Sequence, residues 1–196
     1  LDLLGRYARR FPDETGVREA LRLVEEHADC FSRDCWPGHV TSSAWIASED
    51  GERFLLTHHR KLGRWLQLGG HTDGDPDVVA SALREAREES GLADFALVAP
   101  DEGLPILDVD VHAIPARGAE PAHWHHDVRV LLVARDGQPL VRSDESLELR
   151  WFGWSDLDAV GAQDESILRL ADKARDVLVA AGRLAVRGRP RRLSRP

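Results

Sequence analysis

The stretch REAREESGL, residues 84–92, places three carboxylates close together near the end of a predicted helix. Glu88 and Glu89 follow Glu85 by three and four positions, so all three side chains crowd one side of that helix. Like charges at these spacings repel, and carboxylates in the last helical turn oppose the helix dipole. A bound cation would offset both effects, and an all-oxygen ligand set suits a hard cation such as Mg²⁺. The alternative interpretation is a solvated acidic helix face.

The flanking residues predict the limits of this helix. Asp75 suits the N-cap position, Pro76 the first helical position and Gly91 the position after the last turn. These signals predict a helix over about residues 76–90. Its apolar residues gather on the side next to the carboxylates: Val79, Ala82, Leu83 and Ala86. A helix that packs by this side would hold the carboxylates at the edge of a core, just after the glycine pair of WLQLGG.

The rest of the chain mixes predicted helices and predicted strands. Residues 1–35 predict helices interrupted at Pro12, and DESILRLADKARDVLVAA predicts a closing helix. Six strands are predicted between them, at HVTSSAWIAS, RFLLTHH, WLQLGG, PILDVDVHAI, HHDVRVLLVARD and LELRWFGW. The helix with the three carboxylates therefore follows the third predicted strand.

Composition and charge exclude several classes of function. With 196 residues, of which 42% are hydrophobic and 31% charged, the chain has the composition of one ordinary globular domain. No apolar run approaches the roughly 18 residues of a membrane span, and no signal-peptide pattern begins the sequence, so we expect a cytoplasmic protein without a membrane partner. A net charge of −8 argues against general nucleic-acid binding. This negative charge is still compatible with small anionic substrates, because a divalent cation can invert the local charge of a site.

The carboxylate stretch resembles the sequence box of the Nudix hydrolases, which reads Gly-x5-Glu-x7-Arg-Glu-apolar-x-Glu-Glu-x-Gly-apolar. The residues that fall on this pattern are Gly70, Arg84, Glu85, Ala86, Glu88, Glu89, Gly91 and Leu92. One position departs from it, since Pro76 stands where the box has its first Glu. The resemblance extends over about residues 38–160.

The resemblance implies a Nudix fold of the α/β (α+β) class, in which a mixed β-sheet is sandwiched between helices. It implies three segments: an N-terminal helical extension over residues 1–37, a Nudix hydrolase domain over 38–182, and a basic tail, expected to be mobile, over 183–196. A homodimer is possible on the same grounds.

The resemblance also implies a role for the matching residues. The implied Mg²⁺ ligands, for which Mn²⁺ is a possible substitute metal, are Glu85, Glu88, Glu89 and a backbone carbonyl of Gly69 or Gly70. One of the carboxylates or a bound water would act as the base, and Arg84 would orient them through charge-assisted hydrogen bonds. The implied activity is Mg²⁺-dependent hydrolysis of a phosphoanhydride bond in a nucleoside diphosphate linked to another moiety, or in a related small phosphorylated metabolite.

Two further stretches place polar side chains along one face of a strand. In HWHHDVRV and DVDVHA the alternating polar residues are His123, His125, Asp127, Arg129, Asp108, Asp110 and His112. If these faces line a cavity, the predicted substrate-binding residues are Arg129, His123, His125, Asp127 and His112; the alternative is a solvated sheet face. A second metal site at His123, His125 and His112 is a further alternative, since imidazoles suit Zn²⁺.

Glu145 and Glu148, shortly before RWFGW, are the candidates for an extra carboxylate supplied by a distant loop. An ordinary surface role is the alternative for both residues.

Two other functions are open from the sequence. A non-catalytic ligand sensor would use a Nudix pocket to control a partner, and it would predict a broken glutamate set or an added DNA-binding segment. An isoprenoid-diphosphate isomerase would need a cysteine in the pocket, whereas Cys30 and Cys35 lie before the first predicted strand. The intact glutamate set therefore favours an enzyme of the Nudix diphosphohydrolase type.

Overall fold

The computed structural model describes residues 2–161 and 164–185. Its α-helices are α1 (Asp2–Arg10), α2 (Thr15–Glu26), α3 (Val78–Ser90), α4 (Leu157–Val160) and α5 (Glu165–Ala180). Its strands are β1 (Gly38–Ala47), β2 (Arg53–His59), β3 (Trp65–Leu66), β4 (Leu68–His71), β5 (Phe95–Leu97), β6 (Ile106–Ile114), β7 (His123–Ala134) and β8 (Ser146–Gly153). None of these helices is long and apolar enough to cross a membrane. From residue 186 onward, the tail predicted over 183–196 lies outside the described residues.

The strands form one mixed sheet around β1 and β7. β1 runs parallel to β7 and antiparallel to both β2 and β4. β6 and β5 pair with β7, while β3 and β8 pair with β2. The parallel pairing places the first residues of β1 beside the first residues of β7, and it matches His39 with His125.

Helices cover both faces of the sheet, and each face has its own apolar core. α5 packs on the face that carries Trp45 and Leu131. α3 packs on the opposite face through Ala82 and Ala86. Successive side chains of β1 alternate between these two cores, so that β1 is buried over its whole length. The predicted mixed sheet between helices is confirmed.

The two N-terminal helices pack onto the same sheet. Their apolar side chains share one cluster with strand residues: Tyr7, Val17, Ala20, Val40, Val109 and Val128. Lys173 of α5 adds polar contacts, since its Nζ donates to the Tyr7 hydroxyl at 2.8 Å and to Glu14 at 2.5 Å. The extension predicted over residues 1–37 therefore lies close against the sheet, and the division into three segments stays a prediction.

Most predicted elements are confirmed, and the differences lie in short or capped segments. α3 begins at Val78, two residues later than the sequence predicts. The reason is that Asp77, rather than Asp75, is the N-cap, because its carboxylate accepts hydrogen bonds from two free N–H groups of the first helical turn. WLQLGG forms the two strands β3 and β4, since its halves pair with different neighbours. β5 and α4 have no counterpart among the predicted elements.

Candidate active site

α3 presents its three glutamates beside the glycines of β4. The Glu89 side chain is buried, with 7% of the residue exposed, and its Oε2 accepts a hydrogen bond from the Gly69 N–H at 2.9 Å. Glu85 is half-buried, and Glu88 is exposed. The three carboxylates therefore run from the core to the solvent along one side of α3.

Arg84 links two of these carboxylates to the end of β4. Its Nη1 donates to Glu85 Oε1 at 2.7 Å and to Glu88 Oε2 at 3.2 Å. Its Nη2 donates to the backbone carbonyl of His71 at 2.7 Å and lies 3.7 Å from a carboxylate oxygen of Asp73. Charge-assisted hydrogen bonds of this kind fix both distance and direction. Arg84 is thus placed to hold Glu85 and Glu88 in position.

β4 approaches β1 and α3 so closely that its two glycines leave no room for side chains. A Cβ atom at Gly69 would lie 2.3 Å from the Cβ of Ser43. A Cβ atom at Gly70 would lie 2.8 Å from Cδ and Oε2 of Glu85. Carbon atoms in contact prefer separations of about 3.5–4.0 Å. A side chain at either position would therefore displace β4, or the Glu85 carboxylate that faces it.

Crowding and burial change the proton affinity of these carboxylates. Burial raises the pKa of Glu89 to about 7, although the hydrogen bond from Gly69 opposes this shift. The charges of Glu85, Glu145 and Glu88 raise it further. Burial also raises the pKa of Glu85, against the charge of the adjacent arginine. A bound cation would favour the ionised forms of both groups, so the electrostatics of the site suit a divalent metal.

The two candidates for an extra carboxylate lie in different surroundings. Glu145 is exposed in the segment before β8, and its charge raises the pKa of Glu89. Glu148 Oε1 accepts hydrogen bonds from Nε and Nη2 of Arg150, at 2.8 and 2.6 Å. The charge of Glu145 thus acts on one of the α3 carboxylates, whereas Glu148 pairs with Arg150.

Arg129 and Asp127, which the sequence places in the substrate pocket, lie in a buried ion network. Only 3% of Arg129 is exposed. Its guanidinium lies 2.8 Å from Asp127, 3.3 Å from Asp108 and 3.1 Å from Asp110. The Ser43 hydroxyl also donates to Asp127, at 2.7 Å. Protein carboxylates therefore already neutralise Arg129, and the substrate-binding role of this pair stays a prediction.

The histidines predicted on β6 and β7 belong to a larger cluster. His123 and His125 share it with His39 and His71, and ring centroids of neighbouring pairs lie 4.8 to 5.3 Å apart. The His112 ring lies at the margin, 5.5 Å from that of His125. Burial, with the charges of neighbouring rings, lowers the pKa of His39 to about 4 and of His125 to about 2. These two imidazoles are therefore neutral at pH 7.

Sequence reasoning missed His39 and His71 as members of this cluster. His39 is the second residue of β1 and His71 is the last of β4, and neither belongs to a local motif. The signal that could have found His39 is the parallel register of β1 and β7, which sets it opposite His125. That register is a property of the folded sheet, and no spacing within the sequence encodes it.

Comparisons with known proteins agree with the fold. The family model described as the NUDIX domain matches residues 37–171. A NUDIX-family hydrolase from Clostridium perfringens is 27% identical, with a TM-score of 0.51, and the match covers 71% of this chain and 97% of that chain. Comparison with curated proteins found no match.

Two more distant solved structures are similar in fold alone. A C. elegans Ap4A hydrolase complex is 18% identical with a TM-score of 0.54, and the match covers 73% of this chain and 98% of that one. The E. coli dihydroneopterin triphosphate pyrophosphohydrolase is also 18% identical with a TM-score of 0.54, and the match covers 71% of this chain and 95% of that one.

Proposed function

This chain belongs to the Nudix family and is a hydrolase of pyrophosphate bonds, and we propose that it uses Mg²⁺ to cleave a nucleoside diphosphate linked to another moiety or a related small phosphorylated metabolite. The observation that carries this proposal is the glutamate cluster of α3 against the backbone of Gly69 and Gly70. In this position three carboxylates, two of them paired with Arg84, lie against the backbone of two residues that have no side chains of their own.

The donor set of the site fits a hard divalent cation. Glu85, Glu88 and Glu89 offer carboxylate oxygens, and we assign the metal to them with a backbone carbonyl of Gly69 or Gly70. Mg²⁺ prefers oxygen ligands, keeps several waters and is usually completed by substrate phosphates. Carboxylate and carbonyl oxygens suit Mn²⁺ as well, so we expect Mn²⁺ to substitute.

Arg84 and the backbone of Gly69 hold the three glutamates in position. When bound, a divalent cation neutralises charge on phosphate oxygens and lowers the pKa of water. Arg84 holds Glu85 and Glu88 by its two hydrogen bonds, and the Gly69 N–H holds Glu89. Because the protein itself makes these contacts, the carboxylates need little rearrangement when a substrate arrives, which favours catalysis.

Charge and related folds support the substrate class. The net charge of −8 means that an anionic substrate depends on local positive charge, which the metal and Arg84 would supply. Two proteins that share the fold are named for polyphosphate compounds, Ap4A and dihydroneopterin triphosphate. A small phosphorylated substrate with a heterocyclic group is therefore the class that we propose.

The test measures release of phosphate or nucleotide from a panel of diphosphate compounds, with and without Mg²⁺. The panel comprises ADP-ribose, sugar nucleotides, dinucleoside polyphosphates, nucleoside triphosphates and coenzyme A. We expect Glu88→Gln to lower kcat at least about 100-fold, because one metal ligand is lost from a charge-stabilising site. Glu19→Gln is the matched control, since Glu19 is an exposed helical glutamate of α2 outside the site.

Each result of this test has a clear meaning. Metal-dependent turnover that is lost in Glu88→Gln and kept in Glu19→Gln supports the proposal, and the best compound names the substrate. Equal turnover by the two variants would remove Glu88 from the active site. Tight binding of one compound without turnover of any would instead favour a ligand sensor.

A further inference from the structure

The histidine cluster is separate from the α3 carboxylates and is built by three strands. His39 lies near the start of β1, His125 is its direct partner on β7, and His71 ends β4. One ring nitrogen from each of these three residues lies within 4.8 Å of those from the other two. Imidazoles from three different strands thus converge on one point.

His39 is a buried polar side chain whose ring nitrogens lack a well-formed hydrogen bond among the described residues. Only 1% of the residue is exposed, and neither Nδ1 nor Nε2 forms a hydrogen bond of good geometry among the described residues; the backbone of Cys35 is a polar neighbour that opposes the lowering of the His39 pKa. Buried polar groups in folded proteins nearly always have a hydrogen-bond partner. A ligand between the three rings would provide one, and His39 therefore points to an occupant of this site.

His123 lies beside these three histidines and contacts one of them, His125. Its Nδ1 lies 2.9 Å from the Pro121 carbonyl, so Nδ1 carries the proton and donates it, which leaves Nε2 with a lone pair that can accept a hydrogen bond or bind a metal. This Nε2 lies 3.3 Å from Nε2 of His125. Two nitrogens of a tetrahedral zinc site, each about 2.0–2.1 Å from the metal, are separated by about 3.3–3.4 Å. Metal-ligating histidines commonly donate their other ring N–H to a backbone carbonyl, as His123 does.

We propose that His39, His71 and His125 bind Zn²⁺, and that His123 shifts toward the metal to become the fourth ligand. Imidazole nitrogen suits Zn²⁺, whereas Mg²⁺ prefers oxygen, so this site and the α3 carboxylates select different metals. The zinc site goes beyond the proposed hydrolysis and does not depend on which diphosphate compound is cleaved. Compared with the alternative considered from the sequence, it leaves His112 at the margin of the cluster.

The bound metal fastens β4 to β1 and β7 next to the active site. His71 directly follows Gly70, and its carbonyl accepts the hydrogen bond from Arg84. Zinc sites with four protein ligands are closed and structural, whereas catalytic sites keep one open position. The zinc therefore stabilises the fold and holds the end of β4 in register with its neighbours.

The test measures how much zinc the full chain retains in a large excess of Mg²⁺, which occupies oxygen ligands and competes poorly for imidazoles. We expect about one tightly held zinc per chain. Zn²⁺ at about 100 times its dissociation constant should raise Tm by roughly 5–10 °C. Co²⁺ in place of Zn²⁺ gives a second readout, because tetrahedral Co²⁺ absorbs visible light far more strongly than octahedral Co²⁺ bound by oxygens.

Two ligand variants and one matched control locate the metal. His39→Asn and His125→Asn each remove one imidazole, and we expect zinc retention to fall at least tenfold in both, with loss of the tetrahedral Co²⁺ spectrum. His126→Asn is the control, because His126 is a buried neighbour on β7 whose side chain lies on the other face of the strand. This control should retain zinc like the wild type.

Zinc retention at the wild-type level in both ligand variants would overturn the proposal, and so would a Co²⁺ spectrum typical of octahedral oxygen ligands. If circular dichroism shows that His39→Asn does not fold, His71→Asn at the half-buried position provides the same comparison. If His126→Asn stays folded by circular dichroism and still loses zinc to the same extent as the ligand variants, the proposed site is also contradicted, since the His126 side chain lies on the other face of β7.

Discussion

Gly70 and Glu85 are in such close contact that the position of the carboxylate depends on the absence of a side chain. The Cβ atom introduced by Gly70→Ala would lie 2.8 Å from Glu85 Cδ, so the carboxylate must move. We expect kcat/KM on the best diphosphate substrate to fall about 10- to 100-fold, since misplacing a catalytic group by about 1 Å has effects of this size. The fold should persist by circular dichroism.

Gly153→Ala is the control for this substitution. A Cβ atom at Gly153 would lie no closer than 3.6 Å to Ser155 and Asp156, at a glycine without a positive φ. It should keep the wild-type activity. If Gly70→Ala were as active as Gly153→Ala, close approach of β4 to Glu85 would not matter for catalysis.

The ion pairs of Asp110 should make the stability of the protein depend on pH in acid. Burial alone would raise the pKa of Asp110. The contacts with His112, Arg129 and Arg169 outweigh burial and hold this pKa well below its usual value. The unfolded chain therefore binds a proton at this site at a higher pH than the folded chain does. The corresponding stabilisation is complete well above pH 4, the unfolded value, and is lost as the pH falls below about 4.

Asp110→Asn removes this contribution, and we expect it to lower the free energy of unfolding at pH 7 by about 1–3 kcal/mol. The difference from the wild type should shrink as the pH falls from about 5 to 2.5. Urea midpoints measured across this range for both proteins provide the check. Midpoint curves that stay parallel would show that Asp110 is not stabilised in its ionised form.

Two aspartates lie at the start of α3, and only one of them caps the helix. The Asp77 carboxylate accepts hydrogen bonds from two backbone N–H groups of the helix. The Asp75 carboxylate accepts a hydrogen bond from the backbone N–H of Asp77, which lies before the helix. We expect Asp77→Ala to cost about 1 kcal/mol of unfolding free energy, and Asp75→Ala about half of that or less. Urea unfolding of the two variants compares them directly. The reverse order would restore Asp75 as the N-cap, as the sequence alone predicted.

Local patterns predicted the elements that carry strong signals of their own. β1, β2, β6, β8 and α5 appear close to their predicted limits, because alternation and helical periodicity are present within each segment. β5 has only three residues and exists through its pairing with the end of β7, a contact that no local pattern contains. The split of WLQLGG into β3 and β4 has the same cause.

The residues of the candidate site also differ in whether local spacing or strand pairing brings them together. The spacing of Glu85, Glu88 and Glu89 along one helix determines that they lie together, so the sequence was sufficient to predict this cluster. Alternation placed Asp127 and Arg129 on one face of β7, but it could not show that the carboxylates of β6 surround the guanidinium. His39 joins the cluster only through the β1–β7 register.

A polar contact joins the N-terminal helices to α5 and to the central sheet. Lys173 of α5 donates to Glu14 before α2, to the Tyr7 hydroxyl of α1 and to Asp108 of β6, the last at 2.7 Å. Asp108 is fully buried, so its charge depends on such partners. The N-terminal helices are thereby coupled to the closing helix and to the central sheet.

Removing this coupling should destabilise the entire chain in one transition. We expect Lys173→Met to lower the free energy of unfolding by roughly 2–4 kcal/mol, because it takes one cation from the buried Asp108 carboxylate. The control is Lys61→Met, at the chain's other lysine. Because Lys61 is exposed, this substitution should change the free energy of unfolding by less than about 0.5 kcal/mol. Urea unfolding followed by tryptophan fluorescence and by circular dichroism should give coincident curves for Lys173→Met. Separate transitions would show that the N-terminal helices unfold independently of the sheet.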